Sequence, residues 1–167
     1  MLHKIISGSG ERLFQAISLI LNDVCEIQRA NSCMLNNSLS ALSFAKEFQT
    51  IKVSSCRGAG HDYAIMRLIE EKFDRVAVIS QSADQMRVLI SQLDSRGIPI
   101  SKYELFNNNT DNLRGMDGEP YWTQQKSFDA LIVNCSFMLS NNRIQDIYQA
   151  FLHRASNGVP FFFIFIQ

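Results

Sequence analysis

The stretch Thr50-Ile51-Lys52-Val53-Ser54-Ser55-Cys56-Arg57-Gly58-Ala59-Gly60-His61-Asp62-Tyr63-Ala64-Ile65-Met66-Arg67-Leu68-Ile69 changes texture twice within twenty residues. Its opening, Thr50 to Ser54, is short and β-prone. A turn with two glycines follows, and from Tyr63 to Lys72 the apolar residues Ile65, Leu68 and Ile69 fall on one helical face. The order is strand, glycine turn, helix.

The same rhythm continues downstream. Arg75 to Ser80 reads as a second strand, Ser82-Ala83-Asp84-Gln85 as a capping box, and Met86, Leu89, Ile90 and Leu93 as the apolar face of the helix it opens. Gly97 stands where a C′ glycine ends such a helix. Ile98 to Phe106 gives a third, weaker strand, and Asn107 to Ser127 a polar excursion too long for an ordinary connection in a compact domain. Phe128 to Asn134 predicts a fourth strand, Asn142 to Ala155 a helix ending near Gly158, and Phe161 to Ile166 a fifth strand. Upstream, Leu13, Ile17, Ile20, Val24 and Ile27 recur at helical spacing, Asn31 to Ser38 reads as a loop, and Ala41 to Phe48 as a shorter helix. Strands alternating with helices, several without polar alternation, predict an α/β fold. Its sheet is mostly parallel and five-stranded, flanked by helices, in a single domain over 1–167 with 1–48 a helical N-terminal segment packed on it.

Composition narrows the function classes. The chain has 167 residues, 46% apolar and 19% charged, which fits one ordinary globular core. Sixteen basic residues balance sixteen acidic ones, so no global positive field draws in nucleic acid, although a local basic patch is compatible with these numbers. The cysteines Cys25, Cys33, Cys56 and Cys135 lack zinc-knuckle spacing, and their mostly apolar neighbours predict buried, reduced thiols in an intracellular protein. Met1 to Ser9 is too poor in apolar residues for a secretory core, and Phe161 to Ile166 too short for a membrane span.

Two segments carry the chemistry. Ser55 to Tyr63 sits where a Walker A loop belongs, between strand and helix, with backbone N–H groups available to cup a phosphate. In G-x-x-x-x-G-K-[ST] register, Ser55 takes the first small position, Gly60 the last glycine, His61 the lysine and Asp62 the hydroxyl residue. Ala130-Leu131-Ile132-Val133-Asn134-Cys135-Ser136-Phe137 has the form of a Walker B strand. Asn134 stands for the magnesium-organising Asp, and Cys135 for the Glu that activates water.

At these residues the chain resembles the ATPase domain of phage large terminase subunits and, more distantly, helicase motor cores. Cys56-Arg57-Gly58-Ala59-Gly60 is similar to the terminase loop, which carries an Arg shortly before its final glycine, and Ser136-Phe137 to the small residues and Phe that follow the acidic pair. The resemblance spans about Thr50 to Ile166. It implies a P-loop NTPase (RecA-like) core, a phage source, and hence the host cytoplasm. Ser55, Arg57, Gly58, Ala59, Gly60, His61 and Asp62 would form the degenerate phosphate loop, and Asn134 and Cys135 the degenerate Walker B. Arg57 is either a phosphate-sensing residue, as the resemblance implies, or an ordinary loop arginine.

The replacements argue against hydrolysis. An imidazole is shorter than a lysine and mostly uncharged at pH 7, so His61 supports γ-phosphate charge poorly. Asp62 meets the helix dipole favourably but repels a phosphate. Asn134 brings no charge to magnesium, and Cys135 is a poor substitute for a water-orienting glutamate. Loss of these groups costs several orders of magnitude in rate. The expectation is a pseudo-ATPase without catalytic residues, acting by protein binding or self-assembly, with no cofactor beyond weakly held ATP and Mg, no metal site and no membrane. Its alternative is a weak nucleotide-binding protein or ATPase of a DNA-processing or packaging machine. Tyr121 and Trp122 in the long loop are either a partner contact or a pin holding the loop to the core. A Cys56/His61 nucleophile pair and a Cys56, His61, Asp62 metal set are weaker alternatives, and His3 and His153 carry no context.

Overall fold

A computed structural model describes residues 2–32, 39–55, 60–108, 127–152 and 161–167, with only the backbone for 2–8. Five strands form one sheet in the order β1-β5-β4-β2-β3, and every neighbouring pair is parallel. The strands are Thr50–Val53 (β1), Val76–Ser80 (β2), Tyr103–Asn107 (β3), Ala130–Val133 (β4) and Phe162–Ile166 (β5). The helices are Leu2–Asn31 (α1), Ala41–Phe48 (α2), His61–Glu71 (α3), Ala83–Ser95 (α4) and Asn141–Phe151 (α5).

Handedness assigns the layers. Across the sheet the chain travels one way from β1 to β2 to β3, and back from β4 to β5. A right-handed crossover puts its helix on opposite faces for opposite directions of travel. Accordingly α3 and α4 pack on one face with Val76, Val78, Leu105, Ile132 and Ile164, while α5 packs on the other with Ala77, Ile79, Leu131, Val133 and Phe163. The first core is mainly aliphatic and also takes in Leu13, Phe14, Ile17 and Leu21 of α1. The second is aromatic: Tyr148 lies with its ring centroid 4.7 Å from that of Phe163, and Phe161 packs edge-on to Phe163 at 5.0 Å. Both faces are therefore covered, which is why the strands carry apolar residues at successive positions.

Several element bounds differ from expectation. Helix α1 runs through Gly8 and Gly10 to Asn31, well beyond the apolar stripe that predicts it. The weak third strand is half as long as its apolar residues suggest, because Ile100–Lys102 forms a 3₁₀ turn after Pro99 and only Tyr103–Asn107 pairs. Gly97 does end α4, at φ +69°, with Ile98 N–H bonded to the Leu93 carbonyl at 3.1 Å. The capping box is displaced by one residue: Ser82 Oγ accepts from Gln85 N–H, but Gln85 Oε1 accepts from Gln81 N–H. Helix α5 is described as Asn141–Phe151, and the last part of its expected span, 153–155, lies outside the described residues, as do the long loop's Tyr121 and Trp122. So do Cys33, Cys56 and His153; the described Cys25 and Cys135 are half-buried rather than buried. Among the described residues no helix is long and apolar enough to cross a membrane.

Phe163 is fully buried at the centre of the aromatic layer. Phe163→Ala should lower the unfolding free energy by about 3–5 kcal/mol, measured by urea denaturation. A loss below about 1 kcal/mol would show that this layer does not hold the sheet together.

Candidate functional site

In an open parallel sheet, ligands bind beyond the carboxyl ends of strands, where neighbouring strands send their chains to opposite faces. Here β2 leads to α4 on one face and its neighbour β4 leads to α5 on the other. The crevice thus lies beyond Ser80 and Asn134. With β1 at the described edge of the sheet, the order differs from that of dinucleotide-binding folds, whose first strand is central.

Side-chain alternation turns Asn134 toward the α3 face, as it does Ala130 and Ile132. There Asn134 Nδ2 donates to Asp62 Oδ1 at 2.9 Å. The two motif segments, seventy-two residues apart in sequence, meet through this bond. On the other side of the α3 turn, Ser55 Oγ lies 2.6 Å from His61 Nε2. Of the expected loop, Ser55, Gly60, His61 and Asp62 are described; Arg57, Gly58 and Ala59 lie outside the described residues.

The start of α3 is unusual. Gly60, its N-cap, has φ 76° and ψ 40°, a left-handed conformation natural to glycine, and provides no side-chain cap. The other helices that follow loops, α2, α4 and α5, are capped by Ser40, Ser82 and Ser140. Asp62 occupies the first turn of α3. Burial raises its carboxyl pKa above the ordinary carboxylate value, outweighing the opposing pull of the Asn134 amide and the nearby His61 ring.

Cys135 is the one non-glycine residue with positive φ among the described residues, at 55°. A left-handed conformation costs such a residue about 1–2 kcal/mol. Its thiol donates to Asn134 Oδ1 at 3.4 Å and accepts from Gln85 Nε2 at 3.8 Å. Burial pushes its pKa up, which disfavours the thiolate.

No family model, curated protein or solved structure matches this chain. The site also includes residues that sequence reasoning overlooked. Gln81 Nε2 donates to the Asn134 carbonyl at 3.1 Å, Asn108 Nδ2 to Gln81 Oε1 at 3.2 Å, and Arg143 Nε to Asn108 Oδ1 at 2.9 Å. The result is a chain of polar side chains from Asp62 to Arg143 along the strand ends. Ser80, buried on the α3 side of the same rim, has a hydroxyl without a partner among the described residues. The only signal for Gln81 was its position just after a strand, and Gln85 stood out only as part of the capping box; Asn108 and Arg143 gave none. Among the described residues no group of three or more His, Cys, Asp or Glu side chains is placed to hold a metal.

Because folding raises the Asp62 pKa, the native state binds a proton more readily than the unfolded chain, and this group's contribution to stability falls as pH rises from the ordinary carboxyl value through the raised one. Asp62→Asn keeps an acceptor for Asn134 and removes the charge. Thermal melts should show the variant more stable than wild type at pH 7, with the gain shrinking as pH falls and Asp62 becomes protonated. Equal or lower stability of the variant at pH 7 would contradict burial as the dominant influence.

Proposed function

We propose that this chain is a noncatalytic protein with a P-loop-like, RecA-like core that acts by binding another protein or by assembling with itself. The observation that carries this is the Asn134–Asp62 hydrogen bond. In the motif register, Asp62 takes the position of the magnesium-binding hydroxyl and Asn134 that of the Walker B aspartate. Their side chains satisfy each other across the space a magnesium-bound phosphate would need. His61, at the lysine position, is likewise engaged with Ser55. An incoming triphosphate must break both bonds, face the Asp62 carboxylate, and gain no lysine in return. Water activation is equally unsupported, since Cys135 is a neutral thiol in a strained turn. Association is supported by exposed apolar side chains, Leu19, Ile20 and Ile27 on α1 and Phe137 and Met138 beside the site. A phage source and a host-cytoplasmic location belong to the same proposal and rest on the terminase resemblance.

A second reading, weak nucleotide binding in a DNA-processing machine, is favoured by the uncapped N-terminus of α3 and the unpartnered Ser80 hydroxyl at the switch point. Calorimetric titration with MgATP, run beside a phosphate-release assay, separates the two. Wild-type protein should give no micromolar binding and no turnover. The double variant His61→Lys with Asp62→Thr should gain affinity by at least about tenfold, roughly the 1.4 kcal/mol scale of one charged hydrogen bond, yet release no phosphate because Asn134 and Cys135 remain. Micromolar affinity with steady turnover by the unmodified chain would establish the second reading instead.

A further inference from the structure

Helix α1 runs parallel to α3 on the outside of the aliphatic face and touches it at rising positions. Gly10 lies against Gly60 and Tyr63, Glu11 bonds to Tyr63 and Arg67, and Phe14 lies under the Arg67 guanidinium at 4.6 Å from the ring centroid. At its other end Gln28 Nε2 donates to the Phe161 carbonyl at 3.1 Å, beside the start of β5. The helix therefore spans the sheet from the carboxyl ends of the strands to the amino ends.

The upper contact bears directly on the site. A Cβ on Gly10 would stand 2.9 Å from the Gly60 carbonyl oxygen and 2.9 Å from Tyr63 Cδ1, closer than such atoms approach. That carbonyl accepts the first hydrogen bond of α3, from Ala64 N–H at 3.0 Å. Two residues on from Gly60 is Asp62. With no side chain capping α3, the position of its first turn is set instead by what presses on Gly60 and Tyr63, and α1 does this. Tyr63 is held in turn: its hydroxyl donates to Glu11 at 3.3 Å, Arg67 Nη1 donates to that hydroxyl at 3.2 Å, and Arg67 also pairs with Glu71 at 2.6 Å.

We propose that α1 is a clamp on the candidate site: seated on Gly60 and Tyr63, it holds the first turn of α3 where Asp62 meets Asn134, and when its upper end lifts, the Asp62–Asn134–Cys135 chain opens. The contacts at Gly10 and Glu11 are glycine-mediated and polar, whereas from Leu13 and Phe14 down through Ile17 and Leu21 the helix is buried in the core. Lifting is therefore local, confined to the end beside the site. This coupling rests on geometry alone and holds whatever the site binds.

The test uses the full chain and two variants. Gly10→Ala wedges α1 away from Gly60, and Glu11→Gln weakens the seat without adding bulk. Hydrogen exchange at the Ala64 amide and alkylation of Cys135 by iodoacetamide, located by peptide mass spectrometry, should each accelerate by about tenfold in Gly10→Ala and by a smaller factor in Glu11→Gln, with β2 amides unchanged. If Gly10→Ala fails to fold, Glu11→Gln decides alone. Wild-type rates at both Ala64 and Cys135 in a folded variant overturn the clamp. So does a uniform acceleration that includes β2, because it would mean general loosening rather than coupling.

Discussion

Each crossover in a parallel sheet is right-handed, so the direction of travel fixes the face on which its helix lies. Most of this structure follows from that constraint. Because the chain goes out through β2 and β3 and returns through β4 and β5, α4 and α5 diverge from adjacent strands and leave a crevice between the ends of β2 and β4. The same constraint brings α3 over β5 and β4 on its way from β1 to β2, and so places Asp62 within reach of Asn134. The candidate site is a consequence of topology before it is a consequence of any motif.

Within that crevice Asp62 and Asn134 satisfy each other. A carboxylate half withdrawn from water is costly unless something donates to it, and the Asn134 amide does so without supplying charge. An aspartate at position 134 would repel Asp62, whereas the Asn134 amide donates to it, so these two residues suit one another. Cys135 fits the same account: it tolerates a left-handed backbone, and its thiol completes the Asn134 hydrogen bonds.

Much of the fold was legible because apolar runs such as Ala130–Val133 and Phe162–Ile166 need cover on both faces, a demand only a parallel α/β sheet meets here. The ends of α1 were not. The apolar stripe from Leu13 to Ile27 gives no sign that α1 begins at Leu2 and runs through Gly10, whose missing side chain leaves room for the Gly60 carbonyl and Tyr63. Such an approach is a tertiary fact with no local signature. Ser55, His61, Asp62, Asn134 and Cys135 stand out in the sequence because they follow predicted strands, and the structure brings Asp62 to Asn134 and His61 to Ser55. Gln81, Asn108 and Arg143 do not stand out, since their meeting depends on β2 lying between β4 and β3, and strand order is not written in any one segment.

If Asp62 and Asn134 close the site upon each other, a double-mutant cycle measures that directly. Unfolding free energies of wild type, Asp62→Ala, Asn134→Ala and the double variant, taken by urea denaturation at pH 7, yield the coupling between the two side chains. The expected coupling is about 1.5–3 kcal/mol, the range for a hydrogen bond to a charged group. Strictly additive losses, with coupling below about 0.3 kcal/mol, would mean that the two motif segments do not hold each other and that the site stands open.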